Sequence, residues 1–284
     1  VGIAVFMAFV GVATVYLIFI LGESLYGTVP ALVVAGIYAL SPLIAAQSRA
    51  IWPPAFLPFF SVVGLLGLVL MRQKRNPAWL VIVCAASAVM SQMYIPSLPT
   101  VGFFGLTGVF LLLDLRKSRS VKTLLFWLLV SVACFIVIWL PFLQYESSHE
   151  FEDIRMFLLT TFFAGTPSST LASSVSDRVS LIRSVFEKVL PGASGIFMIV
   201  ALVAGAFRAK LLVVWFLIAA LPIILFRGPT FEHYTAVLLP LPFLLLGILL
   251  QRIIAYSKYL ILPIGLFLLF LQLSAGHKIP IYND

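Results

Sequence analysis

The sequence predicts an all-α, polytopic membrane protein with about ten transmembrane helices and one long outer loop that contains an amphipathic helix. Hydrophobic residues make up 62% of the 284 residues and charged residues only 10%, whereas soluble domains carry about 25% charged residues. The apolar residues also lie in long runs. Such runs indicate helices, because a membrane β-barrel would show short segments of alternating polarity.

Ten apolar runs are each close to the length that crosses a bilayer, the shorter ones with help from flanking residues. They cover residues 2–21, 29–46, 55–71, 78–95, 97–113, 123–143, 193–207, 211–226, 236–250 and 259–275. The connecting segments are short, apart from residues 144–192. We therefore treat residues 1–284 as one transmembrane domain with a single extracytoplasmic loop, 144–192, within it.

Lysine and arginine predict the orientation, because short cytoplasmic loops are enriched in them. One set of alternate loops carries eleven: Arg72, Lys74, Arg75, Arg116, Lys117, Arg119, Lys122, Arg208, Lys210, Arg252 and Lys258. The short loops of the other set carry three: Arg49, Arg227 and Lys278. The first set is predicted to be cytoplasmic, and the net charge of +8 then reflects these loops and does not indicate binding to nucleic acid.

The start of the chain leads to a further expectation. Val1 lies inside an apolar run at the predicted outer side, and no cleavable signal is evident. We expect the chain to be an N-terminal truncation, with at least one more span upstream.

The long outer loop is predicted to contain a helix over residues 173–192. Its apolar residues share one face, and Arg178, Arg183 and Lys188 are predicted to lie off that face. The apolar residues are Val175, Val179, Ile182, Val185, Phe186 and Val189. The helix either lies on the membrane surface or packs as a connector.

Several classes of function are disfavoured. No ionisable residue lies in the middle of a predicted span, whereas ion-coupled transporters usually need such groups. No phosphate-binding loop, dinucleotide turn or His-Glu-x-x-His motif is present. A reaction on the outer face would therefore need an activated donor that is delivered within the membrane.

The stretch "SRAIWPP", residues 48–54, places a cation and an indole at the predicted outer end of a span. A guanidinium at headgroup depth can bind a phosphate through two hydrogen bonds, so Arg49 is a candidate phosphate ligand. Pro53 and Pro54 stop the helix and redirect the chain. The alternative is that Arg49 only extends to the headgroups and Trp52 is an ordinary interfacial aromatic residue.

Two other outer segments concentrate polar side chains. "FRGPTFEHYT" holds Arg227, Glu232, His233 and Tyr234, a mixture of cation, imidazole and hydroxyl that suits a lipid phosphate. "YESSHEFED" follows the sixth run, and its residues Glu146, His149 and Glu150 are candidates for acceptor or metal contacts, as are Glu232 and His233. Ordinary loop polarity is the alternative for both segments, and no metal is assigned because the spacing matches no strict ligand pattern.

The segment from "GESLYG" to "ALSPLIAAQSRAIWPPAFLPFF", residues 22–60, resembles the GT-C membrane glycosyltransferases of the protein O-mannosyltransferase and lipid A aminoarabinose-transferase type. "WLPFL", residues 139–143, and "HYTAVLLPLPFLLLG", residues 233–247, are also similar to that family. One subgroup carries Asn where this chain has Pro53. Some members carry an Asp several residues after the Ser-Arg pair, where this chain has Pro53 and Pro54.

The resemblance implies an enzyme that transfers a sugar from a polyprenyl-phosphate donor to a protein, lipid or glycan acceptor on the outer face of a bacterial inner membrane. It also implies a catalytic Asp in a first outer loop, which would precede Val1. Displacement at the anomeric carbon leaves a phosphate, and Arg49, Arg227 and Tyr234 are the residues we expect to bind it. The chain would then contact membrane lipids and the donor, with no nucleic acid among its partners.

An alternative from another class stays open. A non-catalytic lipid-handling protein, such as a flippase or a component of polysaccharide export, would show the same composition and the same outer cations. Neither the sugar nor the acceptor follows from the sequence.

Overall fold

The computed structural model describes residues 2–48, 51–152, 155, 175–187, 189, 194–225 and 232–276. Within these residues the chain forms helices and no β-strand, which confirms the all-α class. Twelve α-helices are described there: α1 Gly2–Tyr26, α2 Thr28–Leu40, α3 Pro42–Ser48, α4 Leu57–Lys74, α5 Trp79–Met93, α6 Leu98–Leu115, α7 Val121–Ser148, α8 Val175–Glu187, α9 Ser194–Arg208, α10 Lys210–Leu225, α11 Pro240–Tyr256 and α12 Ile261–Gly276. Short 3-10 helices lie at Pro53–Phe56, Ile95–Ser97, Glu232–Leu238 and Lys258–Leu260.

Five helical segments in the described part are long and apolar enough to cross a membrane: Gly2–Tyr26, Pro53–Lys74, Ile95–Leu115, Val121–Ser148 and His233–Tyr256. Five shorter apolar helices accompany them, at Thr28–Leu40, Trp79–Met93, Ser194–Phe207, Lys210–Leu225 and Ile261–Ser274. Each predicted apolar run coincides with one of these ten segments. The chain is a multi-pass membrane protein, and the count of ten complete spans stays a prediction.

Glycine and proline end the helices where the sequence predicts breaks. Gly27 separates α1 from α2 with a φ of 89°, a backbone conformation that a side chain would strain. Pro53 and Pro54 begin a 3-10 helix that leads directly into α4. At the start of α7, the Ser120 hydroxyl accepts a hydrogen bond from the Thr123 backbone N–H at 3.3 Å, which is a helix N-cap.

Glycines let the central helices approach closely, as is common in membrane bundles. α4 packs against α1, α5 and α6. A methyl group added at Gly64 of α4 would overlap the Phe104 ring of α6, and one added at Gly108 of α6 would come within 2.7 Å of Leu80 in α5. These positions therefore set the spacing of the helices on which the candidate site is built.

Tyr26, in the "GESLYG" turn, ties α1 to α11. Its ring is buried, and a methyl group added at Gly22 would come within 2.6 Å of its hydroxyl. A methyl group at Gly247 of α11 would overlap the ring itself. The turn is thus a packing joint between the first and second halves of the chain.

Three turns meet at one end of the bundle, which we call the basic end. The Gln73 side-chain amide donates to the Ser24 carbonyl at 2.8 Å, which joins the turn after α1 to the end of α4. Arg75 donates to the Ser118 hydroxyl at 3.3 Å and lies 3.6 Å from the Asp114 carboxylate, which joins the α4–α5 and α6–α7 loops. These three turns all belong to the set that charge assigns to the cytoplasm.

The helix predicted for the long loop is present as α8, and four residues of its predicted apolar face are buried: Ile182, Val185, Phe186 and Val189. The prediction is wrong for the other two residues of that face and for Arg178. Val175 and Val179 are exposed, whereas Arg178 is buried and donates to the Ile224 carbonyl at 3.0 Å. That carbonyl lies in the last turn of α10, where backbone acceptors lack partners within the helix. α8 packs against α9 and α10, as a connector helix would. Residues 173–174, Lys188 and residues 190–192 lie outside the described residues.

Candidate functional site

The 3-10 helix Glu232–Leu238 lies at the centre of the end opposite the basic end. It packs against α4, α8, α10 and α11, and against the 3-10 helices Pro53–Phe56 and Ile95–Ser97. Three segments that the sequence places in separate outer loops therefore meet at one point.

Four rings from these segments form a cluster, which we call the ring cluster: Trp52, Tyr94, His233 and Tyr234. The centroid of His233 lies 4.8 Å from that of Trp52, 5.5 Å from that of Tyr94 and 5.1 Å from that of Tyr234, each with the edge of one ring towards the face of the other. Tyr94 and Tyr234 lie 6.0 Å apart. Such edge-to-face contacts are favourable, so the cluster holds the three loops together.

The Tyr94 hydroxyl is the unusual polar atom of this cluster. It is buried and has no hydrogen-bond partner among the described residues. Burial, and after it the nearby Tyr234, raises the pKa of Tyr94 above its usual range, so the hydroxyl keeps its proton and can act as a donor. Buried polar groups are nearly always paired in native proteins, so this one needs an explanation.

A largely apolar cavity of about 510 Å³ adjoins the ring cluster. Its lining includes Trp52, Phe56, Gln92, Met93 and Ile138. Gln92 donates to the Ile138 carbonyl of α7 at 3.0 Å, and this contact fixes one wall. The volume lies within the range of small-molecule pockets, and an apolar lining suits a hydrocarbon chain.

The predicted phosphate-binding residues are only partly described. Tyr234 lies in the ring cluster beside His233, as their shared segment predicts. Arg49 and Arg227 lie outside the described residues, as does the side chain of Glu232. Their roles stay predictions from the sequence.

The third polar segment lies farther along α7. Glu146 is in the last turn of that helix and fully buried, eight residues and about 12 Å of helix beyond Ile138. The His149 ring stacks on Tyr145 at 4.1 Å, and its Nδ1 lies 2.9 Å from the Tyr145 carbonyl oxygen. Glu150 follows with a φ of 53° in the turn that ends the helix. Among the described residues, no three His, Cys, Asp or Glu side chains could hold a metal ion together.

Sequence reasoning missed Tyr94. It lies in the short connection between α5 and α6, and a single tyrosine there forms no periodic pattern. The one available signal was its place at the end of the predicted run 78–95, two residues before Pro96 and on the same predicted side as "SRAIWPP" and "FEHYT".

The family of this chain follows from comparison with known proteins. Residues 1–144 match the model of the dolichyl-phosphate-mannose-protein mannosyltransferase family. The chain belongs to this family. Searches among curated proteins and among solved structures found no match.

Membership of this mannosyltransferase family confirms the resemblance that residues 22–60 carry. It identifies the chain as a membrane glycosyltransferase of a family that uses lipid-linked sugar donors. The matched half contains Trp52, Tyr94 and the "GESLYG" turn, whereas His233 and Tyr234 come from the second half. The ring cluster therefore joins the part of the chain that the family model covers to the part that it does not.

Proposed function

We propose that the protein transfers a sugar from a polyprenyl-phosphate donor to a protein, lipid or glycan acceptor on the outer face of a bacterial inner membrane. The observation that carries this proposal is the ring cluster, because it gathers three separate outer segments beside an apolar cavity in a chain of the mannosyltransferase family. Rings and hydroxyls suit the sugar end of such a donor, and the cavity suits its hydrocarbon chain.

The chemistry is a displacement at the anomeric carbon. The acceptor hydroxyl oxygen forms the new bond to this carbon and gives its proton to a carboxylate or imidazole base. The bond from the anomeric carbon to the phosphate oxygen breaks, and its electron pair stays on the phosphate. Positive charges placed beside that phosphate stabilise it as its charge grows.

The residue roles in this proposal come from the sequence. Arg49 and Arg227 bind the leaving phosphate, and Tyr234 donates a further hydrogen bond to it. Acceptor contacts are assigned to the polar side chains of two outer segments, Glu146, His149, Glu150, Glu232 and His233.

The phosphate assignment predicts a loss of donor binding. A charge-assisted hydrogen bond contributes about 1.5–3 kcal/mol. Arg49→Ala and Arg227→Ala should therefore each weaken the binding of polyprenyl phosphate to the purified protein by roughly one to two powers of ten. Arg49→Lys should restore only part of the affinity, because an ammonium group cannot form the paired hydrogen bonds of a guanidinium.

Arg72→Ala is the matched control, since it removes an exposed arginine from the basic end of α4. It should bind polyprenyl phosphate like the wild type. If the two outer-loop variants are folded and also bind like the wild type, Arg49 and Arg227 do not hold the donor.

Transfer itself distinguishes the proposal from the lipid-handling alternative. Membrane vesicles that contain the protein and a labelled polyprenyl-phosphate sugar should release labelled acceptor and free polyprenyl phosphate in equal amounts. A flippase would instead move the intact lipid between leaflets and leave the sugar–phosphate bond unbroken. Movement without cleavage, over a range of donor sugars and acceptors, would favour that alternative.

A further inference from the structure

We propose that Trp52 and Tyr94 of the ring cluster bind the sugar of the donor, and that the Tyr94 hydroxyl donates a hydrogen bond to an oxygen of that sugar. This inference rests on the proposed function. It deepens the function by separating a part of the site that binds the donor sugar, formed by Trp52 and Tyr94, from the parts that bind the phosphate and the acceptor.

The shape and chemistry of the cluster favour a sugar. Trp52 leaves 37% of its surface exposed beside the cavity while its ring packs against His233. A pyranose carries C–H bonds on its faces, and these pack on the electron-rich face of an aromatic ring. A ring of this kind holds a sugar without needing any charge.

The buried hydroxyl of Tyr94 supplies the polar contact. It has no partner among the described residues, and leaving a buried hydroxyl unpaired is unfavourable. A sugar oxygen that enters the cluster would accept a hydrogen bond from this hydroxyl and remove that cost. This contact forms only in the complex, so it contributes to binding and does not contribute to folding.

A neutral ligand group suits this position better than a phosphate does. The proposed hydrogen-bond donor is a phenol, and the rings of Trp52 and Tyr234 that accompany it are neutral as well. A phosphate has a high desolvation cost and needs cations or several donors to offset it. The hydroxyls of a sugar have a smaller desolvation cost. One well-placed hydrogen-bond donor can favour a sugar that presents an acceptor at that position over one that does not.

The test removes one atom. Tyr94→Phe keeps the ring and its contacts with His233 and Tyr234, and it deletes only the hydroxyl. Because that hydroxyl has no partner in the described structure, the variant should unfold at the same temperature as the wild type or at a higher one. Tyr26→Phe is the matched control, since the Tyr26 hydroxyl is also buried without a partner but lies at the basic end.

Two kinds of ligand are compared for each protein. One is polyprenyl phosphate, and the other is a panel of polyprenyl phosphates that carry mannose, glucose or an aminoarabinose. The wild type should bind at least one member of the panel more tightly than the bare phosphate. Tyr94→Phe should reduce that advantage by roughly two- to tenfold, and Tyr26→Phe should keep it.

The outcomes separate the two levels of the proposal. If Tyr94→Phe weakens bare and sugar-bearing lipids equally, the hydroxyl contacts the phosphate and the inference is wrong. It is equally wrong if the variant keeps the full sugar advantage, or if the wild type shows none with any sugar. The proposed function survives these results as long as the wild type binds polyprenyl phosphate and transfers a sugar.

Discussion

The ring of Tyr26 shows what a single glycine does in this protein. The ring lies against Gly22 of the same helix and Gly247 of α11. A side chain at either position would occupy the space that the ring fills, so both positions need glycine. Tyr26 is 3% exposed, so the ring has no room to move outwards. The residues of the "GESLYG" turn, which resembles a family motif, are therefore explained by the packing of the Tyr26 ring.

Gly247→Ala should destabilise the protein, because the added methyl group overlaps the Tyr26 ring. Overpacking a core of this kind costs about 1–3 kcal/mol. The unfolding temperature of the purified protein in detergent should fall accordingly. Gly105→Ala in α6 is the control, since a methyl group there meets nothing within 4 Å.

The control variant should be as stable as the wild type or slightly more stable, because alanine favours a helix over glycine. Equal unfolding temperatures for Gly247→Ala and Gly105→Ala would mean that Tyr26 does not pack against α11 as described.

At the scale of one element, α8 is held in place by a charged side chain. Arg178 is only 6% exposed, and its guanidinium donates to the Ile224 carbonyl in α10. Ile182, Val185 and Phe186 pack on the same side of the helix. The contact attaches α8 to α10, the helix that leads towards the ring cluster.

Arg178→Ala should loosen α8, because it removes the charged donor of the hydrogen bond to the Ile224 carbonyl. A hydrogen bond to a charged group contributes about 1.5–3 kcal/mol. Limited proteolysis should then cut near residues 175–187 faster than in the wild type. Ser180→Ala is the control, since it changes an exposed side chain of the same helix whose hydrogen bond stays within α8, and it should leave the cleavage rate close to that of the wild type.

If both variants are cut at the same rate, Arg178 does not hold α8. A general increase in cleavage over the whole chain would show global unfolding, and the unfolding temperature of Arg178→Ala identifies that case.

α8 also shows where prediction from sequence ends. The helix was predicted because its apolar residues recur with helical spacing, and this part of the prediction is confirmed. The prediction was wrong for Val175, Val179 and Arg178, because such spacing treats every arginine as exposed, whereas the end of α10 offers a carbonyl to which Arg178 donates. An acceptor contributed by a distant helix is invisible to any local pattern.

At the scale of the whole molecule, the alternation of loops between the two ends follows from the sequence. The turns that carry most of the basic residues meet around Arg75, and the segments that hold Trp52, Tyr94 and His233 meet at the other end. Hydrophobic runs and charge counts predict this alternation, because each span and each loop can be recognised without knowing how the helices pack. The ring cluster, in contrast, depends on how helices from distant parts of the chain pack together. The sequence therefore indicated its members near residues 52 and 233 but not Tyr94.

The orientation of the two ends can be measured by labelling. In a variant whose Cys84 and Cys134 are replaced by alanine, Ser147→Cys should react with an impermeant thiol reagent added to intact cells. Lys117→Cys should react only after the membrane is opened, because the basic end is predicted to be cytoplasmic. Both positions are exposed, so accessibility within the fold does not bias the result.

The reverse pattern, with Lys117→Cys labelled and Ser147→Cys protected, would invert the orientation and place the ring cluster in the cytoplasm. The proposed reaction on the outer face would then be wrong, whereas the helical fold would stand.

The division of the ring cluster between the two halves of the chain has a consequence for recombination. Trp52 and Tyr94 lie within residues 1–144, whereas His233 and Tyr234 lie beyond the stretch that the family model matches. A gene fusion that joined residues 1–144 to the second half of another glycosyltransferase would keep every family motif of the first half and still cut the cluster in two. If the cluster binds the donor sugar as proposed, a new sugar preference would require changes on both sides of that junction.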